Sequence, residues 1–155
     1  FSALNKEMPN TKLVIVGRGH LKRRLMRLAK SLGVGEDITI ESSLSFAELA
    51  QLYRSSDLVV YPSFYEGQGL IPLEAMASGV PVVTVDHGPL PEMVDESVGA
   101  LFTMGNIESM VSVMKEVLKA GRKKGEKGRA RVLQKFTYSG NAESFENIYL
   151  EAINR

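Results

Sequence analysis

The sequence predicts an α/β fold, a doubly wound parallel sheet with a helical C-terminus. Three observations carry that expectation. Short β-branched runs alternate with stripes of helical period through residues 12–102. Glycine and proline punctuate the turns between them. Beyond residue 106 the strand signals stop and three helical patterns follow in succession.

The elements follow in chain order. Residues 1–10 read as the tail of a helix and the turn after it. Residues 12–17 form a strand. Residues 20–32 carry Leu21, Leu25, Leu28, Ala29 and Leu32 as a helical stripe, with basic residues on the other face, and Gly33 caps them. Residues 37–41 are a short strand. Ser45 and Glu48 make a capping box for a helix that runs to about Arg54. Residues 57–62 read as a buried strand, apolar and β-branched, stopped by Pro62. Residues 70–78 read as a short helix with Pro72 in its first turn, closed by Gly79 and barred from returning by Pro81. Residues 80–85 form a strand, 91–94 one helical turn and 99–102 a last strand.

Asn106 caps a helix through Lys119, with Met110, Val113, Met114, Val117 and Leu118 facing inward. Gly121 breaks it. Residues 122–136 make a second helix, and 141–154 a third with Phe145, Ile148, Tyr149 and Ala152 as its apolar stripe. The methionines at 104, 110 and 114 fit core packing rather than a cofactor box.

Composition narrows the function. The 155 residues suit one domain, and 44% apolar with 24% charged content is ordinary for a globular one. A net charge of +1 argues against bulk binding of nucleic acid. No run reaches membrane-spanning length. The absence of cysteine excludes disulfides, Cys-ligated metal and thiol catalysis, and fits a cytoplasmic location. His20 and His87 lack metal-ligand spacing, so no metal is expected. Gly17-Arg18-Gly19 could open a dinucleotide fingerprint, but the third glycine would fall at Lys22. The basic run 122–131 reads as a solvated helix face, with anionic lipid or a nucleic acid as the alternative.

The functional signal is Glu66-Gly67-Gln68-Gly69-Leu70-Ile71-Pro72-Leu73-Glu74, between a strand and a helix. Two glycines let a ligand approach the backbone, and the helix start offers N–H groups and a positive dipole end. A carboxylate on each side is an acceptor-only group for hydroxyls. An anion cradle with two hydroxyl-holding carboxylates describes a nucleotide-sugar pocket. Gly17, Ser42, Glu66 and Asp86 all fall at carboxyl ends of expected strands, where such sheets bind ligands.

The run from Tyr61 to Val83 resembles the donor-site signature of retaining glycosyltransferases of the GT-B group, which includes glycogen synthases, sucrose synthases and many mannosyl- and glucosyltransferases. The likeness continues through Asp86 to Val94 and appears upstream at Lys12 to Gly19. It implies a Rossmann-like C-terminal half of a GT-B fold, over 1–155, that binds the donor. Glu66 would lie by the donor sugar as the candidate catalytic residue, and Glu74 would hold the ribose. The N–H groups of Gly67, Gln68, Gly69 and Leu70 would meet sugar hydroxyls and diphosphate. Gly17 and Gly19 would line the crevice, with Ser42, Ser43 and Leu44 framing the base. Gln68 stands where the family has phenylalanine, which makes the loop more polar. The family's opening strand, its arginine–lysine pair and its acceptor domain are expected outside this chain.

The resemblance further implies a nucleoside-diphosphate sugar as substrate, no cofactor and no metal. The partner is an acceptor glycan, lipid or small molecule, and peripheral work at the cytoplasmic face of a membrane is an option. The rival readings are a non-catalytic nucleotide-sugar binding module and a GT-B sugar-nucleotide epimerase.

Overall fold

The computed structural model describes residues 1–154. The order is α1 (Ser2–Glu7), β1 (Leu13–Val16), α2 (Lys22–Ser31), a 3-10 turn (Gly35–Asp37), β2 (Ile38–Glu41), α3 (Phe46–Ser55), β3 (Val59–Tyr61), α4 (Leu70–Ala77), β4 (Val82–Val85), α5 (Leu90–Met93), β5 (Gly99–Phe102), α6 (Ile107–Ala120), α7 (Lys123–Lys135) and α8 (Tyr138–Ile153). All strand pairing is parallel. The strands form a two-stranded sheet, β1-β2, and a three-stranded sheet, β3-β4-β5. The chain divides into two compact units, Phe1–Leu52 and Tyr53 onward. Among the described residues no helix is long and apolar enough to cross a membrane.

In the first unit β1 and β2 pair from Leu13↔Ile38 to Val16↔Glu41. The helical stripe on α2 forms as its spacing predicts, but only Ala29 is buried, and Leu21, Leu25, Leu28 and Leu32 stay about half exposed. Within this unit α2 packs chiefly on the 3-10 turn Gly35–Asp37, which leaves most of the stripe uncovered. Gly33 ends α2 in the left-handed conformation at φ +75°, and Gly33 and Val34 return N–H bonds to Lys30 and Ala29. The capping box on α3 forms in full: Ser45 N–H and Oγ each reach Glu48 Oε2 at 2.7 Å, and Glu48 N–H returns to Ser45 Oγ.

In the second unit β4 is the central strand and is wholly buried, whereas β3 is an edge strand and only half buried. The buried strand expected at 57–62 is therefore shorter, Val59–Tyr61, and only partly buried. The core gathers Ala75, Met76, Val82, Met93, Val94, Val98 and Val132. Gly79, at φ +76°, closes α4 with N–H bonds from Gly79 to Met76 and from Val80 to Ala75. In α6 the inward residues are Val111, Met114 and Val117, with Met110, Val113 and Leu118 at the flanks. α8 starts three residues earlier than expected because the Thr137 hydroxyl caps it by accepting Gly140 N–H at 3.2 Å. Its residues Phe145, Ile148, Tyr149, Leu150 and Ile153 are exposed.

The basic run at 122–131 is exposed along most of its length, as a solvated face is, but one side of the helix is buried and several of its cations bond to the rest of the unit. Gly125 and Gly128 are buried on the side of α7 that packs on α4. The cations around them hold carbonyl oxygens at the ends of other elements. Arg122 Nη2 donates to Arg54 O at 2.8 Å, and Arg129 donates to Ala77 O at the end of α4. Lys124 donates to Glu96 O and to Gly99 O, the latter at 3.2 Å. Arg131 reaches Met93 O at 3.0 Å, Asp95 Oδ2 at 2.7 Å and Ser97 Oγ at 2.9 Å. Cations here complement the C-terminal ends of α3, α4 and α5.

Two stability outcomes follow from this packing. A Cβ at Gly125 would sit 2.1 Å from Gly79 O, backbone against backbone, whereas one at Gly128 would meet the flexible Met76 side chain at 3.2 Å. Gly125→Ala is expected to lower the unfolding free energy in urea titration by about 2–3 kcal/mol, and Gly128→Ala by less. The second outcome concerns acid. Hydrogen bonds, from Arg131 first and then Ser97, hold the Asp95 carboxyl at about 2 against an ordinary 3.8. A depressed folded pKa stabilises above the ordinary value and loses that contribution as pH falls from about 4 towards 2. Asp95→Asn should flatten this part of the stability–pH curve, measured by thermal melts across that range.

Candidate functional site

The second unit builds the site around the loop between β3 and α4. Tyr61 ends β3 and pairs with Thr84 of β4. The Thr84 hydroxyl, fully buried, donates to Tyr61 O at 2.8 Å and fixes that strand end. The Tyr61 hydroxyl then donates to Glu66 Oε2. Gln68 N–H donates to Glu66 Oε1 at 3.1 Å, and the N–H groups of Gly69 and Gly67 also stabilise the carboxylate. The loop thus wraps donors around its own glutamate. The Tyr61 bond, followed by the Gly69 and Gln68 N–H groups, lowers the Glu66 pKa to about 2 from an ordinary 4.5. The bond to Glu66 raises the Tyr61 phenol in turn. At neutral pH Glu66 is ionised and accepts hydrogen bonds; it does not supply a proton.

Gly69 turns the chain into α4 at φ +76° and is buried. A Cβ there would meet Leu90 Cδ2 at 3.0 Å and Met93 Cε at 3.2 Å, so the loop lies directly on α5. At the start of α4, Pro72 has no N–H, Leu73 N–H turns back to Gly69 O at 3.4 Å, and no side chain caps the helix. Among the described residues this leaves the N–H groups of Leu70 and Ile71 as donors at the positive end of the helix. The N–H groups of Gly67, Gln68 and Gly69, expected to face sugar and phosphate, face the Glu66 carboxylate here. An ideal Cβ at Gly67 would meet nothing within 4 Å, so this backbone is open to a ligand.

Glu74 lies one turn into α4 and is exposed. The Tyr53 hydroxyl, from the last turn of α3, donates to Glu74 Oε2 at 3.1 Å. Burial, aided by the Glu74 charge, raises the Tyr53 phenol, so it remains a donor. The Tyr53 ring packs against the core cluster. Asp86 and His87 are exposed in the β4–α5 loop, where Gly88 approaches Glu66 O.

In the first unit the carboxyl ends of β1 and β2 carry the other candidates. Arg18 joins them: its Nε donates to Ser42 O at 2.7 Å and its Nη2 to Ser43 Oγ at 2.8 Å. Gly17 N–H bonds Glu41 O at 2.9 Å. Ser42 and Ser43 are exposed and Leu44 is half-buried. A Cβ at Gly17 or Gly19 would meet nothing within 4 Å. Arg18, Tyr53, Tyr61 and Thr84 were not foreseen as site residues. The aromatic hydroxyls close before Glu66 were the one sequence signal available for them.

Comparison with known proteins identifies the family and the fold. Residues 1–132 match the family described as glycosyl transferases group 1. The chain is 34% identical over 134 residues to the MMP alpha-(1->4)-mannosyltransferase of Mycolicibacterium hassiacum, covering 83% of this chain and 33% of that protein. It is 33% identical over 130 residues to the D-inositol 3-phosphate glycosyltransferase of Corynebacterium aurimucosum, covering 82% and 31%. The chain spans about a third of the length of these curated relatives. The structure superposes on sucrose-phosphate synthase from Thermosynechococcus elongatus with a TM-score of 0.84 at 26% identity, over 99% of this chain and 41% of that one.

Gly69 holds the loop to α5, so Gly69→Ala should displace Glu66. The left-handed conformation alone costs an alanine about 1–2 kcal/mol, and contact with Leu90 and Met93 adds to it. Urea titration should show the loss of stability, and amide NMR shifts should concentrate at residues 61–70 and 88–93.

Proposed function

The chain belongs to the group 1 glycosyl transferases, and we propose that it is the donor-binding domain of a retaining enzyme that moves a sugar from a nucleoside diphosphate to an acceptor. The observation that carries this reading is the pair of glutamates flanking the start of α4. Each accepts a tyrosine hydroxyl, and one is held ionised far below the ordinary carboxylate range. Two fixed, acceptor-only groups on either side of a helix N-terminus suit a ligand with hydroxyls at both ends and negative charge between.

In this reading Glu74 accepts the ribose hydroxyls and Glu66 accepts hydroxyls of the sugar ring. The Leu70 and Ile71 N–H groups and the helix dipole face the diphosphate. Gln68 tunes the sugar end. Gly17 and Gly19, with Ser42, Ser43 and Leu44 braced by Arg18, are proposed as the frame for the base. The anomeric carbon loses its bond to the diphosphate and gains one to the acceptor oxygen, with configuration kept. Charge grows on the ring and on the departing diphosphate. Oriented N–H groups stabilise the latter, and the ionised Glu66 lies where the former builds up. No metal is assigned a role. The acceptor, a glycan, a lipid or a small molecule, belongs to the part of the enzyme beyond this domain.

Calorimetric titration with UDP, GDP, ADP and their glucose and mannose conjugates tests the reading. Wild type should select one base. Glu74→Ala should weaken the bare nucleotide by about 1–3 kcal/mol. Glu66→Ala should spare the bare nucleotide and weaken only the conjugate. Equal losses from both variants on a bare nucleotide would contradict these roles.

A further inference from the structure

We propose that Tyr61 and Tyr53 are positioning residues, Tyr61 fixing Glu66 at the sugar end and Tyr53 fixing Glu74 at the nucleotide end. The inference rests on the donor-site reading above and assigns to its two tyrosines a separate role each in ligand binding. A glutamate has three rotatable bonds and loses their freedom when it must hold a ligand. A hydroxyl that holds it beforehand removes part of that cost.

The two tyrosines are themselves held. The Tyr61 carbonyl accepts the bond from buried Thr84, so a core hydroxyl anchors the residue that anchors Glu66. The Tyr53 ring is fixed by the core residues it packs against, and its hydroxyl reaches Glu74 Oε2 at 3.1 Å. Each tyrosine takes one lone-pair position of one carboxylate oxygen, and an ionised carboxylate has about four. Acceptor capacity therefore remains on Glu74, whereas on Glu66 the loop N–H groups take the other positions and a ligand hydroxyl would have to displace one of them, with the Tyr61 bond still holding the carboxylate.

The arrangement gives separable effects. Tyr61 touches the carboxylate assigned to the sugar, so its loss should be felt only by nucleotide sugars. Tyr53 touches the one assigned to the ribose, so its loss should be felt by bare nucleotides and their conjugates alike.

The test uses Tyr61→Phe and Tyr53→Phe, which keep the rings and their packing. Two readouts apply: carbon-detected NMR titration of the Glu66 carboxyl, and calorimetry with the same six nucleotides and nucleotide sugars. Tyr61→Phe should move the Glu66 midpoint upward and weaken the conjugate by about tenfold while leaving the bare nucleotide within about twofold. Tyr53→Phe should weaken both ligands by a similar factor and leave the Glu66 midpoint in place. In a Glu66→Ala background Tyr61→Phe should add no further loss, which a merely structural role would not produce.

An unmoved Glu66 midpoint in Tyr61→Phe, or equal losses on nucleotide and conjugate, would overturn the proposal. Wild type binding none of the six ligands would instead overturn the donor-site reading, and the Glu66 midpoint would still decide whether Tyr61 holds that carboxylate.

Discussion

The second unit depends on one close approach, Gly125 of α7 against the carbonyl of Gly79 just past the end of α4. No side chain fits there, since a Cβ at Gly125 would lie 2.1 Å from that oxygen. The contact lets α7 lie on α4 with Gly128 against Met76, and Met76 is wholly buried in the core. Arg129 then donates to Ala77 O, supplying a partner for one of the carbonyls that a helix end leaves open. α4 is thereby fixed at its far end. Its near end carries the Gly69 turn and the glutamate loop, so a glycine contact and a cation at the rear of the helix set the geometry at its front.

At that front, hydrogen bonds rather than burial tune the charge. Glu66 is only half-buried, and desolvation opposes its ionisation, yet its pKa falls. The donors responsible come from two sources: the tyrosine at the end of β3 and the N–H groups of the loop itself. A loop that satisfies its own carboxylate keeps its shape without a ligand. A ligand anion would then meet the helix N-terminus at Leu70 and Ile71, beyond the donors that already serve Glu66.

Much of this was legible in the sequence, and the misses share a cause. Strands, helices and stops follow from period and punctuation, so the capping box at Ser45 and Glu48, the Gly33 and Gly79 stops and strand 99–102 form where the residues place them. The glutamate pair was legible because its spacing is local. What the sequence hid is non-local. The basic run at 122–131 has the composition of a solvated face and is largely exposed, but Arg122, Lys124, Arg129 and Arg131 also reach carbonyls 25 to 68 positions away in the chain. Likewise Thr84 looks like any strand threonine until pairing brings it beside Tyr61. Burial on α2 also could not be read from its period. The stripe fixes which face is apolar, while the elements that pack on it decide how much is covered.

The basic helix shows why charge composition alone is a poor guide to partners. A cation in water and a cation on a helix C-terminus look the same in sequence, and both fit a run of lysine and arginine interrupted by glycine. The glycines distinguish them. In an exposed helix face each glycine would cost about 1 kcal/mol relative to alanine with nothing gained. Gly125 and Gly128 are three residues apart, which puts them on one side of α7, and a small-residue side is where another backbone can come close. Flanking arginines then reach past that contact to the carbonyl ends of α3, α4 and α5. Cations set around paired glycines on a helix therefore signal an internal clamp before they signal a lipid or nucleic-acid surface.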